Sequence, residues 1–173
     1  ISLLMPVMLT GSLGINDLVK AQNIPFILIL PSAAVIFFIT SVAEAGRAPF
    51  DLVEAESELV AGFNTEYSGL KFGMFFVGEF LHAFTISLLF STLFLGGWRG
   101  PGAETYPLLG FIYLVIKTFI VYFLVILFRG SLPRFRIDQM MDLNWKVFTP
   151  LALVSVLLTA VIANPLAGMP FVQ

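Results

Sequence analysis

Four long apolar stretches, at roughly residues 26 to 44, 72 to 95, 108 to 128 and 148 to 165, leave this chain few folds to adopt. At a rise of ~1.5 Å per residue, about twenty residues in a helix cross a ~30 Å hydrocarbon layer. Backbone polar groups in lipid must be satisfied within their own segment or in a closed barrel. The expected fold class is therefore all-α, a polytopic transmembrane helix bundle with about four full spanning helices. A further apolar block at roughly residues 1 to 10 is too short to span. It reads as the end of a truncated N-terminal helix, so that residues 1 to 173 form a single membrane domain, the C-terminal part of a longer subunit.

Composition narrows the function classes. Hydrophobic residues make up 58% and charged residues 12% of the chain, and the mean hydropathy is +0.97, far from a soluble domain. A net charge of −2 supplies no basic field for nucleic acid. The chain has no cysteine and one histidine, which excludes disulfides, thiolate or multi-histidine metal sites and cysteine-held iron–sulfur clusters. No Gly-rich phosphate loop occurs, so no cofactor is expected on this chain alone.

The segment Glu44 to Gly69, EAGRAPFDLVEAESELVAGFNTEYSG, holds six of the eleven acidic residues, together with Arg47. It falls in the loop expected over 45–71. Asp51 is placed to cap a short amphipathic helix from about Leu52 to Gly62, with Glu54 at the capping-box position. Asp51, Glu54 and Glu58 then share one face, Leu52, Ala55, Leu59 and Phe63 another, and Glu56 lies apart. Like charges at that spacing repel and hold some carboxylates protonated near neutral pH. A solvated hairpin with capping acids is the plain alternative; Glu44, at the end of the apolar run PSAAVIFFITSVAE, is costly on that view.

The second polar loop, 129–147, carries Arg129, Arg134, Arg136 and Lys146, and a short helix is expected near Asp138. Together with Arg47 and Lys71 these residues put both charged loops on the cytoplasmic or matrix side, with the uncharged C-terminus opposite. The other face has only Lys20 and Arg99. Trp98, Tyr106 and Trp145 lie near block ends, as interfacial aromatic residues do. Within the apolar blocks, Glu79 lies about eight residues past Lys71, His82 three further on, and Lys117 in mid-block. Such groups face a bundle interior or wet cavity, and Glu79 is a proton-path candidate. Lys117 is placed either to neutralise Glu79 or to carry a proton. Each also admits a purely structural role, and His82 fits helix packing.

The charged loop, the Gly78-Glu79-Phe80 turn and PRFRIDQMMDLNWK resemble the H-subunit family of NADH:quinone oxidoreductase, respiratory complex I, the mitochondrial ND-one type. The resemblance covers nearly the whole chain. It implies the last four of eight spanning helices plus the end of a fifth, in a bacterial plasma membrane or mitochondrial inner membrane. It further implies quinone as substrate, FMN and iron–sulfur clusters in partner subunits, and peripheral-arm and membrane-arm subunits and lipid as partners. Carried over, Arg47, Phe50, Asp51, Glu54, Glu56, Glu58, Phe63 and Arg134 line the quinone cavity or its junction. Glu44, Asp51, Glu54, Glu58, Glu79 and Lys117 form the charge relay, and Arg129, Arg136 and Asp138 contact other subunits. Gly46 departs from the family's usual polar residue before the arginine, and His82 is also a departure. Alternatives are the homologous subunit of a membrane-bound hydrogenase or of a ferredoxin- or deazaflavin-dependent dehydrogenase, and a structural membrane anchor for a peripheral enzyme.

Overall fold

A computed structural model of the chain describes residues 1–46, 50, 67–103, 106–133 and 135–166. Among them all regular structure is helical: α1 Leu4–Thr10, α2 Ile15–Ala21, α3 Phe26–Ile29, α4 Pro31–Glu44, α5 Leu70–Phe94, α6 Pro107–Ser131, α7 Ile137–Asp142, a π-helical segment Leu143–Phe148 and α8 Thr149–Leu166. Three runs have the length and apolarity to cross a membrane, Leu70–Phe94, Pro107–Ser131 and Ile137–Val161, and Pro31–Glu44 is a shorter apolar helix.

Two elements differ from the sequence expectation. The stretch 26 to 44 is broken, because Leu30 lies at φ −124° and ψ 62°, outside the helical region. Pro31 is the cause: its ring disfavours helical geometry in the preceding residue, and it has no N–H to continue the ladder. The 14 residues of α4 extend about 21 Å at helical rise, short of a full crossing. At the other end of the chain, the short helix near Asp138 does not stand apart from the last span. The π segment joins α7 to α8 in one helical run.

The core lies where α1 to α6 converge, around Met5, Leu18, Phe26, Phe37, Phe94 and Val121. Phe37, Phe90 and Phe94 form a ring cluster with centroids 5.2 to 6.1 Å apart, offset and tilted geometries that favour aromatic pairs. The most extensive packing is α5 on α6. Small side chains permit it: Ser87 and Ser91 are buried, and the Ser91 and Thr118 hydroxyls bond across the pair at 3.0 Å. Small residues and interhelical hydroxyl bonds are what hold helices together in lipid, where apolar burial alone gives no preference. The outward faces carry Leu70, Met74 and Leu81 on α5 and Leu108, Phe111 and Phe123 on α6, all exposed. An apolar exterior of this kind suits lipid or a partner helix.

Candidate functional site: the charged end of the bundle

Helix α5 begins, and α4 and α6 finish, at one end of the bundle. The chain leaving α4 turns at Gly46, whose φ of 59° favours glycine, while its N–H donates to Ala43 O at 3.2 Å. Phe50 then drops into the protein. Only 7% exposed, it packs with Val42 of α4 and Val125 of α6, against Phe135, Met140 and Leu143. Its ring stacks on Phe135 with centroids 5.5 Å apart and an interplanar angle of 26°, a contact worth about 0.5–1.5 kcal/mol beyond area burial. The two charged loops are thereby pinned to each other.

Charged side chains surround this pin. Glu44 ends α4 and is exposed. Arg129 lies in the last turn of α6, where a cation complements the helix dipole. Arg136 is the N-cap of α7, its backbone N–H donating to Gln139 Oε1 at 3.3 Å, and Asp138 lies in the first turn, the favourable end for an acid. Lys146 pairs with Asp142 at 2.7 Å, both exposed, which contributes a few tenths of a kcal/mol. Glu79 lies nine residues into α5, about 14 Å from its start at helical rise, and is half-buried. The next residue, Phe80, lines a crevice between α5 and α6 with Tyr122 and Arg129. His82 is exposed on this chain.

Residues 1–160 match the family model described as NADH dehydrogenase. The H subunit of the NADH-quinone oxidoreductase of Dehalococcoides mccartyi (strain 195) is 47% identical over 160 residues, 92% of this chain and 44% of that protein. An H subunit of the same enzyme from Geobacter metallireducens is 52% identical over 160 residues, covering 92% and 47%, and that of Geobacillus sp. (strain WCH70) is 47% identical over 163 residues, covering 94% and 49%. This chain belongs to the H-subunit family of NADH-quinone oxidoreductases. It spans just under half the length of these relatives.

The charged end of this H-family chain is only partly described. The structure brings Glu44, Phe50, Arg129, Arg136 and Asp138 to one end. Arg47, Asp51, Glu54, Glu56, Glu58, Phe63, Glu66 and Arg134, with the helix expected from 52 to 62, lie outside the described residues. Lys117 requires a correction. Its ammonium donates to Leu95 O, Gly97 O and Arg99 O at 2.8, 3.0 and 2.8 Å, at the opposite end of α5 from Glu79. Fifteen helical residues separate Glu79 from Phe94, about 22 Å, so the two charges form no ion pair. The carbonyls of Leu95, Gly97 and Arg99, at the C-cap of α5 and in the turn after it, attract the ammonium, and a cation beside a helix C-terminus is favoured.

Two residues escaped sequence reasoning. Phe135 was marked only by being an aromatic ring between two arginines, a pattern that also fits an interfacial anchor. Gln22 is 2% exposed, and its amide donates to Thr92 O and Leu93 O at 3.3 and 2.8 Å. No short-range pattern reveals a contact seventy residues away.

Proposed function

We propose that this chain supplies the membrane wall of the quinone-binding cavity in a proton-translocating NADH-quinone oxidoreductase, and the first carboxylates that couple quinone reduction to proton movement. The observation that carries this reading is the Phe50–Phe135 stack. It holds the acidic loop and the arginine-rich loop together at the end of the bundle from which α5 takes Glu79 into the membrane. The family relatives support it through their names, which specify NADH and quinone.

In this proposal Arg47, Phe50, Asp51, Glu54, Glu56, Glu58, Phe63 and Arg134 line the cavity or its junction with the peripheral subunits, where Arg129, Arg136 and Asp138 make contacts. Electrons arrive from FMN and iron–sulfur clusters held by those partners. Reducing a quinone to quinol consumes two electrons and two protons. Asp51, Glu54 and Glu58, three and four residues apart in sequence, share protons because their charges repel, so a change in quinone charge alters their occupancy. Glu44 and Glu79 continue the path towards the other membrane-arm subunits, and Lys117 acts as a fixed charge at the far end. The membrane is a bacterial plasma membrane or mitochondrial inner membrane, with the charged loops on the cytoplasmic or matrix side, the assignment that the lysines and arginines of those loops favour.

In the intact complex, Glu79→Gln should leave assembly unchanged while quinone-linked turnover and proton pumping fall roughly tenfold or more, as for loss of a proton-transfer group. Normal quinone turnover with normal proton stoichiometry would sink the relay. Loss of assembly in its place, with Asp51→Asn and Glu58→Gln behaving alike, would make the loops a docking interface.

A further inference from the structure

Lys20 and Arg99, the two basic residues of the loops on the far face, meet at one cavity. It measures about 630 Å³ and is walled by Trp98 from the α5–α6 turn and by Pro107, Gly110 and Phe111 from the first turns of α6. We propose that it binds the phosphate headgroup of an anionic phospholipid.

Charge is the first support. Among the described residues, neither cation has a carboxylate partner. Asp17, the near acid in sequence, accepts from Ser12 Oγ at 3.0 Å and does not line the cavity, while Glu104 lies outside the described residues. Arg99 is held by one edge, donating through Nη1 to Lys20 O and through Nη2 to Asn23 Oδ1. A guanidinium has five N–H donors in a fixed fork, so this tether orients the group and leaves donors for phosphate oxygens.

Preorganisation is the second. Lys117 bonds the carbonyls of Gly97 and Arg99 itself, which fixes the backbone on both sides of Trp98. On α6, Gly110 has no side chain to hold the wall away: a Cβ there would meet Trp98 O at 3.4 Å and its ring at 3.7 Å. The volume exceeds what one phosphate fills and lies within the range of small-molecule sites.

Position is the third, and it decides for lipid over a free anion. Phe111, one wall of the cavity, is itself 66% exposed on the outward face of a spanning helix, and the amphipathic Trp98 ring suits the headgroup level. Phosphate oxygens on Lys20 and Arg99 leave acyl chains to run down α6.

The intact complex, delipidated in detergent, is titrated with phosphatidylglycerol and read by native mass spectrometry. The expected result is one phosphatidylglycerol fewer retained in Lys20→Gln, with affinity about fivefold weaker per charge removed, and retention restored in Lys20→Arg. Because Lys20 is exposed, this variant leaves packing intact even if Arg99→Gln fails to assemble. Unchanged phosphatidylglycerol retention in Lys20→Gln overturns the proposal, as does equal retention of phosphatidylcholine or displacement by millimolar inorganic phosphate. None of these readouts depends on quinone chemistry.

Discussion

Lys117 shows how one side chain within an apolar helix can serve the fold. Its three bonds to Leu95, Gly97 and Arg99 carbonyls, with the Gln22 amide on Thr92 and Leu93, satisfy acceptors of the last turn of α5 and of the turn that follows it. Lys117→Met should therefore destabilise the α5–α6 hairpin by about 2–3 kcal/mol, the cost of acceptors left without a charged donor. Thermal unfolding of the complex in detergent measures this, with Lys117→Arg recovering part of the loss. A relay lysine behaves otherwise, losing turnover at unchanged stability. The residue's presence in mid-block was legible in the sequence; its destination was not, because it depends on how the Gly96-Gly97 turn aims three carbonyls back at α6.

At the scale of elements, α5 and α6 were legible to within a few residues, since long apolar runs between glycine and proline breakers admit little else. The break before Pro31 follows from a rule about the residue preceding proline. The π segment Leu143–Phe148, LNWKVF, contains neither glycine nor proline, but Pro150 follows in the same helical run and has no N–H to donate to Lys146 O. A π turn inserts one extra residue into an α ladder, and such turns occur often at functional sites. Here it sets the angular phase between α8 and α7, whose Met140, with Leu143 at the junction, packs on the Phe50 cluster. Inserting one alanine after the exposed Val147 adds a residue beyond the one that the π turn already absorbs, and should rotate α7 by about 100° relative to α8. That rotation withdraws Met140 from Phe50. Limited proteolysis should then cut the 45–69 loop faster in an assembled complex, with an unchanged rate showing that the phase is immaterial.

For the whole molecule, the distribution of lysine and arginine indicated that the two charged loops share a face, but it carried no information about contact between them. Contact comes from two aromatic residues, Phe50 and Phe135, eighty-five positions apart and each beside polar or charged neighbours, where local pattern has no power to pair them. Their stack lies over a small apolar floor of Val42 and Val125, so either truncation empties the same space. Phe50→Ala and Phe135→Ala should accordingly be non-additive: the double variant loses less than the sum of the two single losses, by about 0.5–1.5 kcal/mol for the ring pair. Quinone-linked turnover of the assembled complex supplies a second cycle on the same four proteins. If the pin is what sets the acidic loop against the arginine-rich loop, the turnover losses couple in the same sense as the stability losses. Additive losses in turnover alongside coupled losses in stability would leave the stack holding the fold together while the loops acted independently on the substrate.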